Sequence, residues 1–450
     1  MHNKFDPISG KVIPVFFHYA IPSVIGMLAV TSAGVIDGIF IGNIVGAKAL
    51  AAVNISMPVF ALFAAIVLML AVGGSVVCGK YLGEGNREAA STIFSKIVYA
   101  SLAFGILITV TCLLFLDQLV LMLGANKELS GLVSDYLNII ILAAPFLILG
   151  LTLDYFVRVD GQPLLASAAL VAFAIINIAL DWLFIMKMGW GIKGAAWATA
   201  VAESCIFFML LTHWLNPKHT LKRVSLLKCH RDGWGEVIKA AYNGFSEFAN
   251  EMSIGLITLV FNWVMIRRLG VEGVAAFTII GYLLFIGLEV IYGISESLQP
   301  VVSKNLGARQ AARIVKFTLT AVLSAFTIGL LASALFLLMP ETLISWFLRE
   351  GEDSTVEIAL AYIAVFWPAF LFNGMNITLA SYFTAMHKPL QSASIAVSRS
   401  LVLPALGLII LPMWWGDTGV FIAIPLAEAL TFLLALLLLM RNRPSKLIQP

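Results

Sequence analysis

Long apolar runs, each bounded by glycine, proline or a cluster of charges, follow one another along the whole chain. They occupy residues 14–41, 50–78, 92–117, 131–157, 164–187 and 192–215, then 237–266, 273–303, 314–339, 356–386, 390–412 and 417–440. A helix needs about 20 apolar residues to cross the hydrocarbon core of a bilayer, and every run meets that length. The runs are continuous and do not alternate every second residue, so helices are expected in place of the strands of a barrel. The pattern predicts an all-α membrane protein of twelve transmembrane helices.

Composition removes the competing reading. The 450 residues are 60% hydrophobic and only 12% charged, with a mean hydropathy of +0.97, whereas a soluble domain carries about 25% charged residues. A net charge of +3 leaves no footprint for nucleic acid. The cysteines, Cys78, Cys112, Cys205 and Cys229, show neither metal spacing nor a disulfide framework. The first run begins near Ile13 and is long enough to span the membrane, so no cleaved signal peptide is expected.

Lysine and arginine orient the chain. Seventeen fall on one side, among them Lys4, Lys11, Lys80, Arg87, Arg158, Lys218, Lys222, Arg223, Lys304, Arg309 and Lys446. Seven, including Lys48, Lys127, Arg267, Arg268 and Arg349, fall on the other. By the positive-inside rule both termini are expected in the cytoplasm, with the acidic run Glu350, Glu352, Asp353 and Glu357 outside.

The two halves resemble each other at an offset of 224 to 227 residues. Gly46 in GNIVGAKALAAV pairs with Gly270 in RRLGVEGVAAF, and Leu82-Gly83 with Leu306-Gly307. Tyr155-Phe156 then pairs with Tyr382-Phe383, and Ala202-Glu203 with Ala427-Glu428. The polar stretch 216–235 separates the copies, so the chain divides into a lobe over 1–215, a basic cytoplasmic linker over 216–235 and a lobe over 236–450. Six helices per lobe is an even number, so the copies run parallel, a pattern that places a transporter's substrate site between the repeats.

Ionisable groups inside spans are expensive and mark functional sites. In the first half Asp37, Tyr136, Asn177, Asp181 and Thr199 lie at matching depth, roughly 7–15 Å below the outer boundary at 1.5 Å per residue. Asn177 and Asp181 are spaced i, i+4 and share a helix face. These oxygen donors suit a small hard cation such as Na⁺. They suit a proton equally, because two close carboxylates cannot both ionise cheaply. Pro22, fifteen residues before Asp37, offers a bending point.

The second half lacks this cluster and places Phe261 opposite Asp37 and Ile424 opposite Thr199. It carries instead Glu247 and Glu251 on one helix face and Glu289 on the next span, a possible substrate or second proton site. Glu203 and Glu428 recur in both halves as structural contacts, with Arg399 available as a partner.

The chain resembles the multidrug and toxic compound extrusion (MATE) family, on the branch of the DNA-damage-inducible-protein-F-like exporters, over about residues 12–440. The resemblance rests on VIDGIFIGNIVGAKALAAV, GKYLGEGNREAA, DYLNIIILAAPF, VRVDGQP, NIALDWLFI and GAAWATA. It implies a V-shaped pair of six-helix lobes with alternating access. It also implies a cation site in the amino-terminal lobe made by Asp37, Asn177, Asp181, Thr199 and the carbonyl of Ala195, with Tyr136 beside it and Pro22 as the bend. The carboxylates that some relatives place in the other lobe have no clear match, since Leu371 and Asn373 occupy that region.

The expected function is export of small hydrophobic, often cationic, drug-like compounds by antiport against H⁺ or Na⁺, with no cofactor beyond that ion. The protein is expected as a monomer among membrane lipids, in a bacterial or archaeal inner (plasma) membrane. The competing reading is a lipid-linked oligosaccharide flippase of related architecture. That would need a strongly basic cavity, whereas intramembrane acids outnumber bases here. No HExxH, GxSxG or Walker motif supports an enzyme or ATP coupling.

Overall fold

The structure, a computed structural model, describes residues 4–216, 219–345 and 353–444. Lys218, Arg349, Glu350, Glu352 and Lys446 lie outside the described residues. The chain forms α1 (Val12–Phe40), α2 (Ala47–Gly83), α3 (Arg87–Leu114), α4 (Leu116–Met122), α5 (Ser130–Val159), α6 (Pro163–Asp181) and α7 (Gly191–Leu215). It continues through α8 (Leu226–Arg231), α9 (Gly235–Gly307), α10 (Ala311–Leu338), α11 (Pro340–Ser345), α12 (Asp353–Phe366), α13 (Pro368–Ala385), α14 (Pro389–Val397) and α15 (Leu403–Arg441). No strand occurs among the described residues.

Among the described residues nine helical segments are long and apolar enough to cross a membrane. A tenth arises if α12 and α13, bent by 56° between Phe366 and Pro368, count as one span. The bend falls at Pro368, whose ring removes a backbone donor, while Trp367 before it keeps helical angles (φ −50°, ψ −32°). Two pairs of the expected spans are joined without an intervening loop. Within α9 the backbone leaves helical geometry at Gly270 (φ 67°, ψ −158°), and within α15 at Gly416 (φ 56°, ψ −136°).

The chain resolves into two compact units, Ile21–Gly244 and Met1–Ala20 together with Phe245–Pro450. The partition falls inside α1, beside Pro22. The amino-terminal segment joins the second unit through Arg313, whose Nη2 donates to the carbonyls of Pro7 (2.6 Å) and Gly10 (2.7 Å), and through Asn305, which donates to Pro7 (3.1 Å). The polar linker docks on the first unit. The Lys222 and Val224 amides donate to the hydroxyls of Ser91 and Ser95 on α3.

The repeat is written into the helix ends. Besides α4 at Gly124, four helices stop in a left-handed residue followed by a pair of 5→2 and 6→1 hydrogen bonds, which satisfies the last carbonyls. Those residues are Gly85 (φ 79°) and Gly161 (φ 96°) in the first unit, Arg309 (φ 55°) and His387 (φ 55°) in the second. Gly46 (φ 116°) and Gly270 (φ 67°), and Gly191 (φ 59°) and Gly416 (φ 56°), complete the correspondence. All four pairs keep the spacing of the sequence repeat, so the lobes repeat backbone geometry where side chains have diverged.

In the first unit Tyr136, Ile140, Ile185 and Ala195 belong to one apolar cluster and Phe94, Phe156, Phe173 and Leu210 to another. In the second unit Phe261, Tyr362, Phe366, Phe421 and neighbours form a third. Outward-facing apolar side chains such as Leu107, Leu114, Ile409 and Met413 remain exposed, as a lipid-facing surface requires.

Candidate functional site

Asp37 lies near the end of α1, four residues before a π-helical turn over Ile41–Val45. Asp181 ends α6, and another π-helical turn, Trp182–Lys187, begins at the next residue. Such turns hold an extra residue per hydrogen-bonded ring and recur at functional sites. α7 closes on the second turn, where a Cβ at Gly194 would meet the backbone of Phe184 at 3.1 Å. That approach seats Ala195, fully buried, and Thr199 one turn further along the same helix.

The carboxyls of Asp37 and Asp181 lie within hydrogen-bonding reach of each other. Asp181 is fully buried and Asn177 nearly so. Among the described residues no hydrogen-bond donor reaches Asp37 Oδ1 or either oxygen of Asp181. Asn177 Nδ2 makes a long contact of 3.5 Å with Thr199 Oγ1. Tyr136 is buried within electrostatic range of both carboxyls, its ring 6.3 Å from that of Phe60. All the first-half candidates therefore belong to one unit and converge on its interior.

In the second unit the position opposite Asp37 is filled by Phe261, stacked on Phe277 with ring centroids 4.9 Å apart. The glutamates sit elsewhere. Glu251 is within electrostatic range of both Glu247 and Glu289, and Gln299 Nε2 lies 3.5 Å from Glu247 Oε1. Glu296, seven residues after Glu289 and so on the same helix face, joins them. Asn250 donates to Tyr292 at 3.5 Å.

Arg399 is paired with Glu428 at 3.1 Å, both side chains buried. Glu428 also accepts from Asn373 at 2.8 Å and from Asn376 at 2.7 Å. Arg399, Glu428 and Asn373 form a polar part of the lining of a mostly apolar cavity of ≈ 210 Å³.

Sequence reasoning overlooked several groups. Asp154 pairs with Arg158 at 2.8 Å, and Arg158 donates to Ser23 at 2.6 Å, all buried. The i, i+4 spacing of opposite charges inside an apolar run was the available signal. Asn376 and Glu296 carried only the weaker signal of a polar residue in a span.

Two repeated bundles of apolar helices, with carboxyls, amides and an ion pair enclosed in their interiors, define a multi-pass membrane protein with the organisation of a secondary transporter. The chain belongs to the MatE family, which matches residues 22–183 and 248–409, one stretch in each half. It is 25% identical over 447 residues to the multidrug export protein MepA of Staphylococcus aureus (strain N315), covering 96% of this chain and 95% of that protein. Its fold is similar to that of a multidrug resistance MATE family transporter of the MOP superfamily in an outward-facing conformation, with a TM-score of 0.91, 23% identity and full coverage of both chains. It is similar as well to a MOP superfamily transporter from Pyrococcus furiosus Vc1 whose binding pocket has reverse polarity (TM-score 0.91, 24% identity, full coverage of both chains).

Proposed function

We propose that this chain is a cation-coupled antiporter that exports small hydrophobic, often cationic, organic compounds, driven by H⁺ or Na⁺ entering through the carboxyl site of the amino-terminal lobe. The observation that carries the reading is the Asp37–Asp181 pair. The two carboxyls are within hydrogen-bonding reach, and three of their oxygens are buried with no protein donor among the described residues. Burying such oxygens is costly unless a positive charge or a proton joins them.

In this reading Asp37 is the coupling carboxylate and Asp181 its partner. Asn177, Thr199 and the Ala195 carbonyl supply neutral oxygens, which fit Na⁺ as well as a proton relay. Tyr136 borders the site. A bound cation shifts the conformational balance only by its difference in affinity between states. Pro22 is the place where α1 can bend in response. Glu247, Glu251 and Glu289 are a second candidate proton or substrate site. MepA's name as a multidrug exporter supports the substrate class. The cation bias of the loops supports cytoplasmic termini in a plasma membrane.

The test is transport in proteoliposomes with pH and Na⁺ gradients imposed separately. Accumulation of a lipophilic cation driven by one gradient and abolished by its collapse is the expected result. Accumulation indifferent to both gradients defeats the proposal.

A further inference from the structure

Far from the carboxyl pair, three metal-ligating side chains meet where α5 ends, α7 ends and the linker begins. Asp160 directly follows the last residue of α5, and its side chain is 1% exposed. Its Oδ2 lies 2.9 Å from Nε2 of His213, which sits in the last turn of α7 with its side chain 5% exposed. His219 lies on the linker, its ring facing that of His213 with centroids 3.6 Å apart and planes 31° from parallel. One ligand atom from each residue falls within 4.8 Å of the others.

A simple ion pair accounts for only part of this arrangement. It uses Asp160 Oδ2 and His213 Nε2, yet among the described residues the other oxygen of that carboxylate, Oδ1, is also buried and has no hydrogen-bond partner. Orphaned buried polar atoms in a native interior call for a missing partner. A tetrahedral ion with bonds of about 2.0–2.1 Å holds its ligands roughly 3.3 Å apart. Asp160 Oδ2 and His213 Nε2 are 2.9 Å apart and the His219 ligand atom lies within 4.8 Å of both, so turning the His219 ring out of its stack on His213 closes the set. Two imidazoles and one carboxylate select zinc and its first-row neighbours over Mg²⁺ or Ca²⁺.

We propose that Asp160, His213 and His219 form a binding site for a first-row divalent metal ion of the zinc type, with water in the fourth position. The ion fastens the linker to the ends of α5 and α7. All three ligands belong to one unit, and the linker is already held further along by the Ser91 and Ser95 hydroxyls, so the metal adds a second anchor. Nothing in this proposal depends on the coupling ion or the exported compound.

The test uses the full-length protein, purified in detergent with any affinity tag removed and stripped by a chelator. Titration with Co²⁺ is followed by its visible ligand-field absorption, and Zn²⁺ is then added in competition. The expected result is one Co²⁺ per chain with the intense bands of a tetrahedral N/O site, displaced by Zn²⁺. His219→Ala, on the partly exposed linker, should bind at least about 10-fold more weakly, with the melting temperature of the metal-free protein unchanged. His230→Ala and His387→Ala should bind as the wild type does. Absence of saturable one-to-one binding, or binding unaffected by His219→Ala, overturns the proposal.

Discussion

Replacing Asp37 by asparagine separates coupling from stability, because the two should move in opposite directions. In the wild-type protein Asp37 Oδ1 and both Asp181 oxygens are buried without a protein donor. An asparagine keeps the shape of the side chain and directs an amide N–H at Asp181. A hydrogen bond to a charged group contributes about 1.5–3 kcal/mol, and one of two adjacent buried acids is removed as well. Asp37→Asn should therefore stabilise the protein by about 1–3 kcal/mol. At the same time it should reduce gradient-driven accumulation to that of protein-free liposomes, since the site no longer needs a cation. Unfolding followed by the fluorescence of the 10 tryptophans reads the first quantity, and proteoliposome transport the second. Asp37→Leu removes the acid without adding a donor and should gain less. A variant Asp37→Asn that melts below wild type, or that still accumulates substrate in response to a gradient, would refute the reasoning.

Three further outcomes rest on other contacts. Glu428→Leu strips the buried Arg399 and the half-buried Asn373 of their carboxylate acceptor and leaves Asn376 only the main-chain carbonyl; it should cost about 3–5 kcal/mol, whereas the double change with Arg399→Met should recover most of that loss in the same melting assay. Arg309→Gly and His387→Gly should each stabilise by about 1 kcal/mol, because both residues now hold left-handed backbone that glycine adopts freely; Gly85→Ala and Gly161→Ala should shift the melting temperature the other way. Gly73→Val should cost about 1–3 kcal/mol or more, since a Cβ there overlaps the carbonyl of Ala240 where α2 crosses the start of α9. Gly38→Ala, inside α1 with open space around it, serves as the control without a clash and should stabilise by about 0.5–1 kcal/mol.

Much of this protein was legible before any coordinates. Membrane insertion allows few solutions: backbone polar groups cannot be left bare in lipid, so apolar runs of spanning length become helices whatever their neighbours. The duplication showed in Gly46 and Gly270 because a positive φ restricts side-chain choice. It was invisible at Arg309 and His387, where the same geometry is held by residues that do not advertise it. Asp37, Asn177, Asp181 and Thr199 could be brought to a common depth by counting residues from the ends of spans, since rise per residue is constant.

Rotation about each helix axis and the choice of neighbour are different matters, because they depend on packing between segments far apart in the chain. Only tertiary structure decided that Asp37 faces Asp181, that Arg399 is held by Glu428 and that Arg158 reaches Ser23. It decided also that the amino-terminal segment packs with the carboxy-terminal half through Arg313, and that His213 and His219 stack beside Asp160. A solvent of lipid makes the helices inevitable from local composition, whereas the meeting of groups as far as 29 to 306 residues apart is set by the shapes that close around them.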